Sequence, residues 1–102
     1  MNKRLMMLEQ MTQSGKADAF AWYGLALEYR REGRSTDALA TFEKLRALHP
    51  DYLPMYLMAG QLLIAEERTG DAKAWLQAGI ELARKQGNAH TLSELESALA
   101  NV

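Results

Sequence analysis

The chain repeats itself once, at a spacing of 34 residues. Trp22, Leu25, Ala26 and Tyr29 return as Tyr56, Ala59, Gly60 and Leu63, and Ala38 and Phe42 return as Ala72 and Leu76. The bulky ends of the pattern and its small residues are both kept. A 34-residue period in an apolar chain with two prolines specifies a helical hairpin as the repeating unit. One hairpin cannot bury its own apolar face, so copies stack and leave a curved surface open. Such a surface implies binding rather than chemistry.

Composition narrows the function classes. A hydrophobic fraction of 48% and a charged fraction of 25% are those of a folded globular chain. At 102 residues there is room for one compact domain. A net charge of −1 exerts no bulk pull on nucleic acid or on anionic lipid. Cysteine is absent, which excludes disulfides, thiol catalysis and cysteine-ligated zinc. The basic start Lys3-Arg4 and the apolar run Leu5-Met6-Met7-Leu8 imitate a signal peptide, but Glu9 and Gln10 cut the run short. No stretch approaches the length of a membrane span, and a cytoplasmic protein is the expectation.

Helix punctuation divides the chain into six segments, at about 3–13, 19–32, 36–48, 54–67, 70–86 and 89–101. Pro50 and Pro54 share one junction, with Pro54 suited to a first helical turn where its missing N–H costs nothing. Glycine marks the other breaks, around Gly15, Gly33, Gly70 and Gly87. Ser35 or Thr36 is expected to cap the third helix, with Asp37 at its positive end, and Thr69 and Asp71 repeat the arrangement. Thr91-Leu92-Ser93-Glu94 fits a capping box for the last helix, in competition with a cap at Asn88.

Each central segment carries an apolar stripe at helical spacing, and none alternates with the period of a strand. The stripes are Trp22, Leu25, Ala26, Tyr29; Ala38, Phe42, Leu45, Leu48; Tyr56, Ala59, Gly60, Leu63; and Ala72, Leu76, Gly79, Leu82. Trp22, Leu25, Tyr29, Phe42, Tyr56, Leu63 and Leu76 are the expected core. Gly60 and Gly79 lie mid-helix, where glycine costs about 1 kcal/mol against alanine, so close packing is their expected reason.

In this register the chain resembles the tetratricopeptide repeat family. The family pattern sets Trp, Leu, Gly and Tyr on a first helix and Ala, Phe and Ala on a second, followed by Pro. The first copy reads Trp22, Leu25, Ala26, Tyr29, Ala38, Phe42, Leu45 and Pro50, with Leu45 large where the family is small. The second reads Tyr56, Ala59, Gly60, Leu63, Ala72, Leu76 and Gly79, with Arg84 where proline is expected. The resemblance implies an all-α right-handed superhelix of stacked antiparallel hairpins in a single domain, 1–102. Repeat 1 covers 19–52 and repeat 2 covers 53–86, with flanking, capping helices at 3–13 and 89–101. Met7, Leu8 and Met11 are expected to face the neighbouring repeat. Leu92, Leu95 and Leu99 fall two residues later than the period predicts, which implies a longer helix through Lys85 and Gln86.

No catalytic constellation emerges. His49 and His90 lie in different junctions with no metal spacing between them, and Glu66-Glu67 and Glu94/Glu96 fall on solvent faces. Neither a phosphate loop nor a nucleophile elbow is present. Arg30, Arg31 and Arg34 have two readings, as an anion clamp or as cations favoured at a helix C-terminus. Methionine fills irregular gaps or makes adaptable contact surfaces; Met58, beside its stripe, leans to the second. The reading is not an enzyme, with no metal, nucleotide or other cofactor.

The resemblance also implies that first helices line a concave groove. The groove face carries Phe20, Tyr23, Leu27, Arg30 and Arg31, then Pro54, Leu57, Met58, Gln61 and Ile64, then His90, Ser93, Ser97 and Asn101. Tyr23, Leu27 and Met58 stand where relatives that grip a C-terminal carboxylate carry Lys and Asn, so that specificity does not carry over. An apolar peptide or protein segment is the expected partner, with no nucleic acid and no membrane. The alternative is a self-assembly module, a symmetric homodimer covering Leu5, Met6, Leu27 and Ile64.

Overall fold

The computed structural model describes residues 1–102 as six helices with no strand. They are α1 (Lys3–Gln13), α2 (Ala19–Arg31), α3 (Ser35–Leu48), α4 (Pro54–Ala65), α5 (Thr69–Gln86) and α6 (Ala89–Ala100). Every expected helix is present, with ends within two residues of the sequence reading. The chain forms two compact units, Met1–Pro50 and Asp51–Val102.

In the first unit α2 packs against both α1 and α3. Leu5 and Leu8 of α1 bury against Ala21 and Leu25 of α2, with Ala17, Trp22 and Tyr29 packed around them. Ala26, Ala38, Phe42 and Leu45 are fully buried. In the second unit α5 packs against α4 and α6, and α4 also touches α6. Its core includes Met55, Tyr56, Ala59, Leu63, Ala72, Trp75, Leu76 and Leu95, with the Tyr56 and Trp75 rings 5.8 Å apart. Gly60 and Gly79 are buried as expected from close packing: a Cβ on Gly60 would lie 2.5 Å from Leu76 Cδ2.

Several expectations are corrected. Trp22 and Tyr29 are half-buried rather than core. The buried apolar residues that α1 brings to α2 are Leu5 and Leu8, and Tyr29 keeps its hydroxyl at the rim to donate to Glu9 Oε2 at 2.6 Å. On α1, Leu5 is buried at 7% exposure, while Met7 and Met11 are exposed. Leu5 and Leu8 lie three apart on the stripe that faces α2, and Met7 and Met11 lie on another stripe. Leu48 is exposed and Leu82 half-buried, whereas Trp75 and Ile80 are core.

The caps also differ. Ser35 and Thr69 are the first residues of α3 and α5, and neither helix has a side-chain cap. Instead Arg34 and Arg68 hold the cap positions and reach Asp37 and Asp71 at 2.8 and 2.7 Å. These pairs again stand one 34-residue period apart. The aspartates place negative charge at the positive helix ends. At α6 the cap is Asn88, whose side chain accepts from Thr91 N at 3.0 Å, not the Thr91 box. Asn2 and Asp18 cap α1 and α2 in the same way. Pro54 sits in the first turn of α4 as expected.

The ends of α2 and α4 share one device. Arg34 N–H bonds Tyr29 C=O and Gly33 N–H bonds Arg30 C=O; Arg68 to Leu63 and Glu67 to Ile64 repeat the pattern. Both pairs form the Schellman closure, which needs a left-handed residue. Gly33 supplies it at φ 75° and Glu67 at φ 60°. Gly70, expected to mark this break, lies inside α5.

Candidate functional site

α2 sets Phe20, Tyr23, Leu27, Arg30 and Arg31 along one stripe, because spacings of three and four return to the same helix face. Phe20 is 68% exposed. Tyr23 is half-buried, its ring 6.4 Å from that of Phe42 and tilted by 58°, so α3 anchors it. Leu27 and Arg30 are half-buried. Arg31 is exposed, its guanidinium 3.9 Å from Glu28. The face is apolar toward the start of α2 and cationic toward its end.

In the second unit Leu57, Met58, Gln61 and Ile64 of α4 are all half-buried. Leu57 and Gln61 form one wall of a cleft of about 390 Å³. The other wall is α6, with His90, Ser93, Glu94, Ser97, Ala98 and Asn101. Met58 and Ile64 lie outside this lining. His90 Nε2 is 3.5 Å from Glu94 Oε1. The cleft therefore pairs Leu57 and Ala98 with hydroxyl, amide, carboxylate and imidazole groups.

One polar arrangement escaped the sequence reading. Glu28 is only 7% exposed on α2. Its carboxylate accepts from Asn2 Nδ2 at 2.9 Å and pairs with Arg4 Nε at 3.2 Å. Asn2 also donates to Glu32 Oε1 at 2.7 Å while capping α1. Glu28 follows Leu25 by three residues and so shares the stripe that faces α1, which was the available signal. A buried carboxylate must be paired, and α1 supplies the partners.

Arg34 is held by two contacts rather than free to clamp an anion. Its guanidinium bonds Asp37 and lies 4.6 Å over the Tyr29 ring. Burial, then the hydrogen bond to Glu9 and its charge, push the Tyr29 hydroxyl up to about 12 from the usual 10.0, with Arg34 opposing. No three His, Asp or Glu residues gather to hold a metal ion. No helix is long and apolar enough to cross a membrane.

Residues 29–95 match the model of the tetratricopeptide repeat. The crystal structure of a tetratricopeptide repeat domain protein from Salinibacter ruber is 39% identical, covers 83% of this chain and 94% of its own, and superposes with a TM-score of 0.78. A solution structure of a tetratricopeptide repeat domain protein from the same organism is 39% identical over 82% of this chain and 85% of its own, with a TM-score of 0.78. A solution structure of a Bordetella parapertussis protein shares the fold at a TM-score of 0.84 and 20% identity, covering 99% and 88% of the two chains. A search of curated proteins found no match.

Proposed function

The chain belongs to the tetratricopeptide repeat family, generally protein–protein interaction modules and non-enzymatic scaffolds, and we propose that it binds an apolar segment of a protein partner. The observation that carries this reading is the cleft between Leu57 and Gln61 of α4 and the polar face of α6. An extended segment would rest an apolar side chain on Leu57. Its backbone amides would meet Gln61, Ser93, Ser97 and Asn101, as peptide recognition requires both a pocket and main-chain partners. No Lys or Arg lines the cleft, so a neutral segment fits better than a C-terminal carboxylate. Phe20, Tyr23 and Leu27 offer a second apolar contact on α2. The binding uses no metal, nucleotide or other cofactor, and its proposed setting is the cytoplasm.

Selection from a displayed peptide library tests this directly. Apolar sequences should be recovered, and Leu57→Glu should weaken the selected peptides at least about tenfold by putting a charge into a surface that desolvates. Helicity should be unchanged, because Leu57 is half-buried rather than core. No recovered binder, or equal binding by Leu57→Glu, defeats the reading.

Self-association is the second reading. Exposure of Met6 at 48% and Met7 at 51% favours it. The symmetric dimer expected through Leu5 does not carry over, since Leu5 is inside the α1–α2 core.

A further inference from the structure

α1 presents to solvent the face by which the second helices of this repeat meet their first helices. Steps of 34 residues place Met7 in register with Thr41 and Trp75, and Met11 with Leu45 and Gly79. In α5 that face turns to α4: the Trp75 ring lies 5.8 Å from the Tyr56 ring, and a Cβ on Gly79 would stand 2.6 Å from Tyr56 Cβ. Thr41, Leu45, Trp75 and Gly79 are all buried. Met7 is 51% and Met11 37% exposed, so the same face on α1 is open to solvent.

α6 presents the complementary half. Leu25, Ala59 and Leu95 are buried first-helix residues, the last displaced two residues from the strict period as α5 runs on to Gln86. The same displacement puts Leu92 in register with Tyr56, and Leu99 with Leu63. Tyr56 and Leu63 are buried, but Leu92 and Leu99 are only half-buried. Beside them Ile80, Leu99 and Ala100 floor an open cleft of about 590 Å³ between α5 and α6, rimmed by Glu81, Arg84 and Glu96. A helix seated there would meet α5 and α6 together.

The charges agree with one occupant. α1 opens with Lys3 and Arg4, both exposed, and α6 carries Glu94 and Glu96 with no Lys or Arg. In an antiparallel hairpin the start of the second helix lies beside the end of the first, which brings Lys3 toward Glu96. In its own chain Glu96 has Arg84 at 3.7 Å, while Arg4 stays with Glu28. We infer that α1 of one copy seats in the α5–α6 cleft of another and completes a helical hairpin across two copies. The contact is heterologous, so copies add head to tail, into a closed ring or an open chain. It uses neither Leu57 nor Tyr23, and so is independent of the peptide-binding reading.

Sedimentation of the full chain over rising concentration tests the inference. Wild type should form a closed ring, of which a two-membered one is the smallest, or an open series that grows with concentration. Met7→Arg/Met11→Arg disables α1, and Glu96→Lys/Ala100→Lys disables the cleft. All four residues are exposed, so both variants should melt as wild type does. Lys3→Glu, also exposed, is a milder second α1 variant. Each double variant alone should associate at least about tenfold more weakly. An equal mixture should give a dimer and nothing larger, because one copy keeps its cleft and the other its α1. A wild-type monomer at the highest soluble concentration overturns the inference. So does association that neither variant changes, or a mixture that stays monomeric. Dimers of Glu96→Lys/Ala100→Lys alone would show an α1–α1 contact and overturn it as well.

Discussion

A Cβ on Gly79 would stand 2.6 Å from the Cβ of Tyr56 and 3.0 Å from Leu95 Cδ2. Tyr56 Cβ belongs to a stem that cannot swing away, so α4 and α5 would have to separate. Gly79→Ala is therefore expected to destabilise by about 1–3 kcal/mol, as overpacking does, despite the better helix propensity of alanine. Gly24 is the control. A Cβ there would meet Leu8 Cδ2 and Arg4 Nη2 at an ordinary 3.7 Å. Gly24→Ala should stabilise by up to about 1 kcal/mol. Urea unfolding of the two variants checks the pair, and a Gly79→Ala protein as stable as wild type would contradict the packing described.

Glu67 performs in α4 what Gly33 performs in α2. A left-handed residue with a side chain costs about 1–2 kcal/mol, which glycine avoids. Glu67→Gly should raise stability by roughly 0.5–1 kcal/mol, and Gly33→Ala should lower it by about 1 kcal/mol. Thermal melts that move in the same direction for both would show that the strain at Glu67 is not real.

Burial of Tyr29, and then its hydrogen bond to Glu9, make stability depend on alkaline pH. The folded hydroxyl is pushed up to about 12 from the usual 10.0, so it holds its proton more tightly than the unfolded chain does. Its stabilisation is complete below pH 10 and is lost as pH rises to about 12. Glu9→Gln removes the acceptor charge and should bring the hydroxyl back toward the usual value. Phenolate absorbance should show one of the four tyrosines titrating late in wild type and earlier in Glu9→Gln. Identical titrations would dissociate Glu9 from the shift.

Phe42 is fully buried and carries the Tyr23 ring. Phe42→Ala should cost about 3–5 kcal/mol by deleting a large core side chain. An unfolding midpoint that stays at the wild-type value would remove Phe42 from the core.

The 34-residue spacing of Trp22 to Tyr29 against Tyr56 to Leu63 made the all-α hairpin architecture readable, since helical period and helix breaking are local properties of the chain. The same locality made the faces of α2 and α4 readable, and the cleft of Leu57 and Gln61 against His90, Ser93, Ser97 and Asn101 follows from them. What escaped was every choice that a second element makes. α1 carries apolar residues at 5, 6, 7, 8 and 11, on most of its circumference, and no rule of spacing selects among them. Packing against Ala21 and Leu25 selected Leu5 and Leu8 and left Met7 and Met11 in solvent. Glu28 could be buried only because Asn2 and Arg4 arrive from α1 to hold its charge. Glu67 took a glycine's conformation because the Schellman closure of α4 required a left-handed residue at that position. Local geometry determined the helices and their stripes. Tertiary contact, which alone decides where water is excluded and where a charge finds its partner, decided which stripe packs and which remains open.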